Sequence, residues 1–270
     1  MIMVTGASGM LASLILDELA DRGAPALGAS RNPGNGMRRL DFDDPSSLDL
    51  RDVSTLVLVS AGYAEDDVVV HRHEAVVAAA ARDGVRHVVY TSLTGAGDHL
   101  GFALAHRVTE QIVRGSGMAW TILRNGLYAE LFGGLLARRG GALESAFATG
   151  ALAAVTRRDL AEAAAVVAAA PAAHAGLTYE LVGHPVTAQE VADVLGLQHR
   201  AISLGEYRAR LLGDPDLLPF QPPMLVSIAS GIRHGFLGST APDLEVLLGR
   251  PASDPVKVAA QVAAAGIPTS

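Results

Sequence analysis

Short apolar runs alternate with helical periodicities along the first half of the chain. The run from Ile2 to Thr5 ends at a glycine loop, and Thr55 to Ser60 is the apolar type of strand that parallel sheets bury. Between them, Leu11, Ile15 and Leu19 recur at helical spacing. The pattern predicts further strands at residues 25–29, 38–42, 86–92 and 119–124, and helices at residues 10–22, 45–53, 66–82 and 103–114.

This alternation predicts an α/β fold, a Rossmann-type doubly wound parallel sheet whose ligands lie at the carboxyl ends of the strands. After Asn125 the pattern loosens to one strand and four helices, at residues 178–182, 160–170, 188–195, 204–212 and 243–248. Three prolines within residues 219–223 are expected to break the chain. We predict that residues 1–125 form the Rossmann core. Residues 126–270 are expected to form mainly a smaller C-terminal α/β substrate lobe, from which the chain can cross back to the core.

The loop after the first strand has the spacing of a phosphate cradle, Gly6-x-x-Gly9-x-x-Ala12. Gly6 permits the tight turn, Gly9 lets the backbone approach a pyrophosphate, and Ala12 lets the helix pack against the strand. Free N–H groups and the dipole of the following helix favour an anion there. The pattern predicts a dinucleotide site, with a plain structural turn as the alternative. Its candidate cofactor-binding residues are Gly6, Ala7, Ser8, Gly9, Met10 and Leu11.

The end of the second strand distinguishes NADP(H) from NAD(H). An NAD site usually carries an acidic residue about 20 residues after the glycine loop, where it binds the ribose 2′-hydroxyl. This chain has Ala29-Ser30-Arg31-Asn32 there, and a guanidinium can bind a 2′-phosphate through two hydrogen bonds. The sequence therefore predicts NADPH/NADP+ as the cofactor and Arg31 as its ligand. The alternative is that Arg31 is an ordinary solvated charge.

Three further strand ends supply candidate cofactor contacts. The third strand ends where the adenine edge of a bound dinucleotide would lie. The backbone at the end of the fourth strand would pass the ribose, and the fifth strand ends at the edge of the sheet where catalytic residues are expected. The alternatives are a solvated acidic loop after the third strand and a turn cap after the fifth. The residues at these three ends are Asp41 and Phe42; Ser60, Ala61 and Gly62; and Thr91 and Ser92.

Composition and charge argue against several classes of protein. The chain has 270 residues, no cysteine and a formal net charge of −7, with no basic stripe of the kind that binds nucleic acid. The lack of cysteine excludes disulfides, thiolate nucleophiles and cysteine zinc sites. No His-Glu-x-x-His occurs, and His71 and His73 are two positions apart on a helix, so no metal site is expected. No export signal or membrane span is visible, and a cytoplasmic protein is expected.

Several segments resemble the NmrA-like atypical short-chain dehydrogenase/reductases. They are Thr5-Gly6-Ala7-Ser8-Gly9, Arg31-Asn32-Pro33, Tyr90-Thr91-Ser92-Leu93 and Leu123-Arg124-Asn125-Gly126-x-Tyr128. Within that group the likeness is strongest to the type 2 NADPH-dependent quinone oxidoreductases. Three further segments match them in order and spacing: His106-x-x-Thr109-Glu110, Arg157-x-Asp159 and Tyr179-Glu180-Leu181-x-Gly183.

This resemblance implies a Rossmann domain with a small C-terminal substrate lobe, NADPH as the hydride donor and quinones as acceptors. The predicted function is therefore an NADPH-dependent oxidoreductase that transfers hydride to a quinone or a similar planar conjugated acceptor. Some NmrA-like proteins bind the dinucleotide and catalyse nothing. A non-catalytic NADP(H)-sensing regulatory protein is thus the alternative.

The acceptor side lacks the usual proton donor. The commonest short-chain reductases use a Tyr-x-x-x-Lys pair, and the corresponding positions here are Phe102 and His106. Phenylalanine has no proton to give, which disfavours an alcohol dehydrogenase mechanism. Quinone reduction tolerates this loss because the charge of the hydroquinone anion spreads over an aromatic ring, so that positioning matters most. Another conjugated carbonyl or an azo compound is a further candidate acceptor.

His106, Asn125 and Tyr128 are the candidate catalytic residues. His106 can bond the nicotinamide ribose or supply a proton near neutral pH, unless it is a helix histidine bonded to backbone. Asn125, Tyr128 and Phe132 can line a flat pocket for an aromatic acceptor, an arrangement that plain structure also produces. The expected partner is a small planar molecule. A homodimer is left open because no single apolar stripe demands one.

Overall fold

The first half of the chain alternates strand and helix as the sequence predicts. A computed structural model describes residues 1–60 and 64–266. The strands of this half are β1 (Ile2–Thr5), β2 (Ala26–Ser30), β3 (Arg38–Arg39), β4 (Thr55–Leu58), β5 (His87–Leu93) and β6 (Ala119–Asn125). The helices are α1 (Met10–Asp21), α2 (Asp66–Arg82) and α3 (Ala103–Gly115).

The second half contains more regular structure than the sequence predicts. Its strands are β7 (Ala137–Arg139), β8 (Ala142–Ser145), β9 (Ala151–Ala154), β10 (Leu177–Leu181), β11 (His184–Thr187) and β12 (Gln198–Ala201). Its helices are α4 (Ala129–Gly134), α5 (Arg157–Ala169), α6 (Ala188–Val194), α7 (Leu204–Leu212), α8 (Gln221–Arg233), α9 (Asp243–Leu248) and α10 (Pro255–Ala265). Within the described residues, none of the helices is long and apolar enough to cross a membrane.

Seven parallel strands form the central sheet, in the order β10-β6-β5-β4-β1-β2-β3. Helices α1 and α5 cover one face of the sheet, and α2 and α3 cover the other. Every residue of β5 is buried, and its polar His87 is satisfied by the hydroxyl of Thr121 on β6 at 2.9 Å. The predicted Rossmann-type doubly wound sheet is confirmed. Strand β10 and helix α5 come from beyond Asn125, and they complete the central sheet and one of its covering layers.

Two small sheets and several helices form the predicted smaller α/β lobe. Strand β11 pairs antiparallel with β9, and a three-stranded sheet has the order β12-β8-β7. The core of this lobe includes Phe132, Phe147 and Ile228, and it continues into Leu93 and Ala103 of the first half. The lobe therefore packs directly on the carboxyl edge of the central sheet.

The third strand is shorter than predicted, since β3 covers only Arg38–Arg39. The chain leaves the sheet after Leu40. A side chain there takes the hydrogen bonds of the backbone that a neighbouring strand would otherwise make. The N–H of Asp41 donates to Ser47 Oγ at 2.8 Å, and that hydroxyl lies 3.0 Å from the Asp41 carbonyl oxygen. The predicted helix at residues 45–53 is also wrong, because only a 3-10 turn, Pro45–Ser47, forms there.

The prediction that the prolines break the chain near residue 222 is wrong as well. Pro222 and Pro223 lie in the first turn of α8. Proline is tolerated there because the first N–H groups of a helix have no partner within the helix. The whole helix is 13 residues long, ends at Arg233 and buries Leu225 and Ile228 in the lobe.

Helix α4 approaches α10 so closely that Gly133 has no room for a side chain. A Cβ at this position would lie 2.3 Å from the carbonyl oxygen of Ala259 and 2.9 Å from its Cα. We expect Gly133→Ala to lower the free energy of unfolding by about 3 kcal/mol, because backbone must move to admit the methyl group. Urea unfolding followed by circular dichroism measures this loss.

Gly205→Ala in the first turn of α7 is the matched control. A Cβ there would meet only Ser203 Oγ, at 3.9 Å. Because alanine is the better helix former, this variant should keep its stability or gain up to about 1 kcal/mol. Similar losses in both variants would contradict the role given to the α4–α10 packing.

Candidate active site

The carboxyl ends of β1, β4, β5 and β6 lie along one edge of the central sheet. Two threonine hydroxyls link the ends of β1, β4 and β5. The N–H of Val59 donates to Thr5 Oγ1 at 2.9 Å, and the N–H of Ser60 donates to Thr91 Oγ1 at 3.1 Å. The predicted site residues Ser60 and Thr91 are therefore neighbours. Two others that were predicted with Ser60 lie outside the described residues, namely Ala61 and Gly62.

The loop between β1 and α1 has a form that suits a dinucleotide pyrophosphate. Gly6 has a φ of 66°, and the N–H of Gly9 donates to its carbonyl oxygen at 2.8 Å. A Cβ on Gly9 would stand 3.2 Å from that oxygen, so a side chain would crowd the turn. No side chain caps α1, which leaves its first N–H groups for an anion. The hydroxyl of Ser8, which lines the adjoining cavity, lies 3.1 Å from that of Ser30.

The other three predicted loop residues are placed differently from the glycines. The N–H of Ala7 donates to the carbonyl oxygen of Ala29 at 2.9 Å, so it is not available to a phosphate. Met10 is exposed at the start of α1, whereas Leu11 is buried in the core below it. Any contact of Met10 and Leu11 with the pyrophosphate would therefore use their backbone N–H groups.

A cavity of about 280 Å³ opens beside the glycine loop and brings together the predicted adenosine-side residues Arg31, Asp41 and Phe42. The ring of Phe42 meets His73 edge-on, with a centroid distance of 6.5 Å. Among the described residues, Arg31 has no hydrogen-bond partner, and it is exposed at the cavity mouth. Its donors are therefore available for a ligand.

Arg72 of α2 is a second guanidinium in this cavity. Its Nε and Nη2 donate to the two carboxylate oxygens of Asp43 at 2.7 and 2.6 Å. This bidentate pair lowers the pKa of Asp43, and the charge of Arg31 lowers it further. Arg72 is thus neutralised by Asp43 in a way that Arg31 is not.

A second cavity, also of about 280 Å³, adjoins the first, and Val59 and Ser60 line both. The two cavities therefore form one cleft. The second has mainly apolar walls. From the sheet edge and α3 they include Thr91, Ser92, Leu93, Phe102, His106 and Asn125. From the lobe they include Tyr128, Leu131, Arg157, Leu217, Phe220, Gln221, Met224, Leu225 and Ile228.

His106 lines this cavity as a neutral imidazole. Its Nδ1 lies 3.0 Å from the hydroxyl of Tyr90, a fully buried side chain. Burial and, to a smaller extent, the neighbouring charge of Arg107 lower the pKa of His106 to about 4. At neutral pH the ring carries one N–H only, which favours the ribose-bonding role of His106 over proton supply.

Asn125, the last residue of β6, has a buried polar atom that nothing satisfies. The residue is 6% exposed, and among the described residues its Oδ1 has no hydrogen-bond partner. Burial of an unpaired amide oxygen is costly, so such an atom in a cavity wall indicates a ligand contact. Asn125 is thus the strongest of the predicted acceptor-side residues.

Tyr128 reaches the same cavity from the turn before α4. The guanidinium carbon of Arg157 stands 4.5 Å from the centre of its ring. This cation–π contact holds an aromatic surface and a positive charge together at the cavity wall. The cavity thus combines a flat apolar interior with one cationic corner.

Two other residues belong to the scaffold. The hydroxyl of Ser92 donates to Glu110 Oε1 at 2.7 Å, although Ser92 also lines the cavity. Phe132 is fully buried in the lobe core against Phe147, with ring centroids 5.0 Å apart. The prediction that Phe132 lines the acceptor pocket is wrong, because α4 turns this side chain towards the lobe.

Comparison with known proteins identifies the family. Residues 6–171 match the NAD(P)H-binding family model. The chain is 33% identical to Quinone oxidoreductase 2 of Escherichia coli, over 93% of this chain and 94% of that protein. The chain belongs to the NAD(P)H-binding family.

Solved structures of similar proteins support the same relationship. The NADPH-dependent quinone oxidoreductase of Escherichia coli in complex with NADPH is 29% identical, with a TM-score of 0.85 over 97% of this chain and 99% of that chain. Triphenylmethane reductase of Citrobacter sp. in complex with NADP(H) is 28% identical, with a TM-score of 0.84 over 97% and 100%. The resemblance to NmrA-like reductases is confirmed, and this family member is an NAD(P)H-dependent oxidoreductase. NADP(H) is the dinucleotide in both complexes, in agreement with the cofactor predicted from Arg31.

The sequence analysis missed most of the residues that the lobe contributes to the second cavity. It included Arg157 only in a segment that matches the family. On the nucleotide side, it gave no role to Arg72. The residues of α8 that line this second cavity were missed because the prolines of α8 were taken to break the chain. The helical spacing of Gln221, Met224 and Ile228 is a signal that would have revealed this face.

The burial of His106 predicts how it titrates. Its ring should stay neutral down to a pKa of about 4, whereas an unfolded histidine is protonated below about 6.5. The unfolded state then binds more protons between these values, so this group lowers stability as the pH falls from about 6.5 to about 4 and has no effect above that range. Ring nitrogen shifts in a ¹⁵N-histidine NMR titration would report the change, with the urea-unfolded protein as control. A midpoint near 6.5 in the folded protein would contradict the assignment.

Proposed function

We propose that the protein is an NADPH-dependent reductase of quinones or similar planar conjugated acceptors. One observation carries the proposal: a mainly apolar cavity, with an unpaired Asn125 Oδ1 in its wall, opens directly into the cavity at the glycine loop. A planar ring system fits such walls, and this Oδ1, which can only accept a hydrogen bond, suits a hydroxyl of the reduced product. The quinone oxidoreductases among the relatives support this choice of acceptor.

The preference for NADPH rests on the nucleotide cavity. Arg31 offers unpaired donors where a ribose 2′-phosphate would lie, and Ser30 stands where an NAD site has its acid. Arg72 adds a second positive charge, although Asp43 offsets it. Backbone groups of the glycine loop and of Ser60, together with Thr91, would complete the cofactor site.

The reaction is a two-electron reduction in which the quinone takes up one hydride and one proton and becomes a hydroquinone. When bound, NADPH supplies the hydride and leaves as NADP+. The proton comes from solvent, because Phe102 has none to give and His106 is neutral. The chain therefore acts mainly by positioning the reactants and excluding water.

Each acceptor-side residue has a part in this positioning. The Asn125 side chain would donate from Nδ2 to a quinone oxygen and accept through Oδ1 from a hydroxyl of the hydroquinone. The ring of Tyr128 would offer a flat surface. The neutral ring of His106, held by Tyr90, would bond the nicotinamide ribose. We assign cofactor binding mainly to residues 1–125 and acceptor binding mainly to residues 126–270, since the α8 wall belongs to the latter.

Turnover is the direct test of this proposal. Loss of absorbance at the reduced nicotinamide band should follow mixing of the protein and NADPH with benzoquinone, naphthoquinone or phenanthrenequinone. Asn125→Ala should raise KM for the quinone about tenfold, the value of one buried hydrogen bond, and His106→Ala should lower kcat/KM by a similar factor. The exposed His234→Ala is the control and should match the wild type. Tight NADPH binding without turnover of any quinone would favour the NADP(H)-sensing alternative.

The cofactor preference has a separate test. Arg31→Glu should raise the Kd of NADPH about ten- to hundredfold, because it removes a charge-assisted bond and adds a repulsion to the 2′-phosphate. The Kd of NADH, which has no such phosphate, should change by less than about threefold. Fluorescence titration of both cofactors measures the difference. Arg51→Glu, an exposed arginine outside both cavities, makes the same change in charge and serves as control. Equal losses for NADPH and NADH would remove Arg31 from this role.

A further inference from the structure

Arg157 places a guanidinium in the wall of the acceptor cavity, where its side chain is 15% exposed. It is the first residue of α5, and the loop before it pairs with the Tyr128 turn. The backbone of Arg157 is therefore held by both the sheet core and the lobe. Its side chain is fixed against the ring of Tyr128.

The guanidinium of Arg157 has no hydrogen-bond acceptor among residues 1–60 and 64–266. Its Nη1 stands 3.9 Å from Glu130 Oε2, which is too far for a hydrogen bond. The carboxylate of Glu130 instead accepts from the backbone N–H of Arg157, at 3.1 and 3.3 Å. Among the described residues, the guanidinium of Arg157 makes no hydrogen bond. Arg124, by contrast, uses three donors on Glu110 and Glu180.

The rest of the cavity offers this charge no partner. Of the described residues that line it, Arg157 is the only one that is charged at pH 7, since His106 is neutral there. A largely buried guanidinium with free donors, at the edge of an apolar cavity, is a ready site for a planar oxyanion. The five donors of arginine match carboxylate, sulfonate and phosphate oxygens in a bidentate manner.

We infer that the acceptor cavity selects planar ligands that carry an anionic substituent, and that Arg157 binds this substituent. The ring lies against the apolar walls, and the carboxylate, sulfonate or phosphate group lies at the Arg157 corner. This inference rests on the proposed function in that it names a substrate class for the same cavity. Glu130 stays on the backbone N–H of Arg157 and does not need to move.

Equilibrium binding of a compound that cannot be reduced tests the site without turnover. Naphthalene-2-sulfonate and its neutral analogue naphthalene-2-sulfonamide are titrated calorimetrically into protein saturated with NADP+, which blocks the nucleotide cavity. Wild-type protein should bind the sulfonate about ten- to hundredfold more tightly than the sulfonamide, as expected for a charge-assisted bond. Arg157→Gln should lose this preference and keep its affinity for the sulfonamide, and Arg157→Lys should retain part of the preference.

Arg158→Gln is the matched control, since this neighbouring arginine is exposed and its loss changes the net charge equally. It should keep the wild-type preference, and all variants should bind NADP+ as the wild type does if they fold. A preference that persists in Arg157→Gln, no preference in wild type, or no binding of the sulfonate would overturn the inference. A sulfonate preference without turnover of any quinone would contradict the proposed function alone. Turnover of quinones without the preference would contradict only the role of Arg157.

Discussion

The buried carboxylate of Glu110 holds together the part of the sheet on which the acceptor cavity is built. It is 1% exposed and accepts hydrogen bonds from Ser92 of β5, Arg107 of α3 and Arg124 of β6, at distances between 2.7 and 2.9 Å. Burial disfavours its ionised form, but these donors outweigh the burial and lower the pKa of Glu110. Arg124 also donates to Glu180 of β10 at 3.1 Å. One network thus attaches the strand that returns from the second half to the edge that carries the site.

The position of Glu110 also determines which residues of α3 and of the segment before it face the cavity. Phe102, His106 and Glu110 are spaced four residues apart along the start and body of α3, so they share one side of that segment. Glu110 is held in the network beneath the cavity, and Phe102 and His106 line the cavity itself. Phe102, which the resemblance puts where short-chain reductases usually carry their proton donor, therefore faces the cavity with an apolar ring. This suits a reaction whose product anion is weakly basic and whose rate depends on the geometry of the reactants.

Local patterns predicted the sheet and the nucleotide half of the site because their signals lie within single strand–loop–helix units. The glycine loop and Arg31 each follow a strand directly, and their spacing carries the information. The lobe half depends on which helix packs over the sheet edge, which is a matter of long-range contacts. Phe132 shows the limit: periodicity gives α4 an apolar face but does not tell whether that face meets a cavity or a second core. No local pattern gives Arg157 a place in the cavity, since six separate segments of the chain form that cavity.

Both ends of the cleft carry positively charged guanidinium groups, although the net charge of the chain is negative. Arg31 and Arg72 lie at the nucleotide end and Arg157 at the acceptor end, whereas the chain carries a formal net charge of −7. The net charge therefore does not attract anions from a distance, and charges further than about 8 Å are largely screened at physiological ionic strength. Discrimination has to arise by contact. Asp43 already accepts hydrogen bonds from Arg72. Glu130 Oε2, by contrast, lies 3.9 Å from Nη1 of Arg157, which is too far for a hydrogen bond. In the roles proposed for Arg31 and Arg157, each end of the cleft binds its own anion, so selectivity for the cofactor phosphate and selectivity for the acceptor would be set independently of each other.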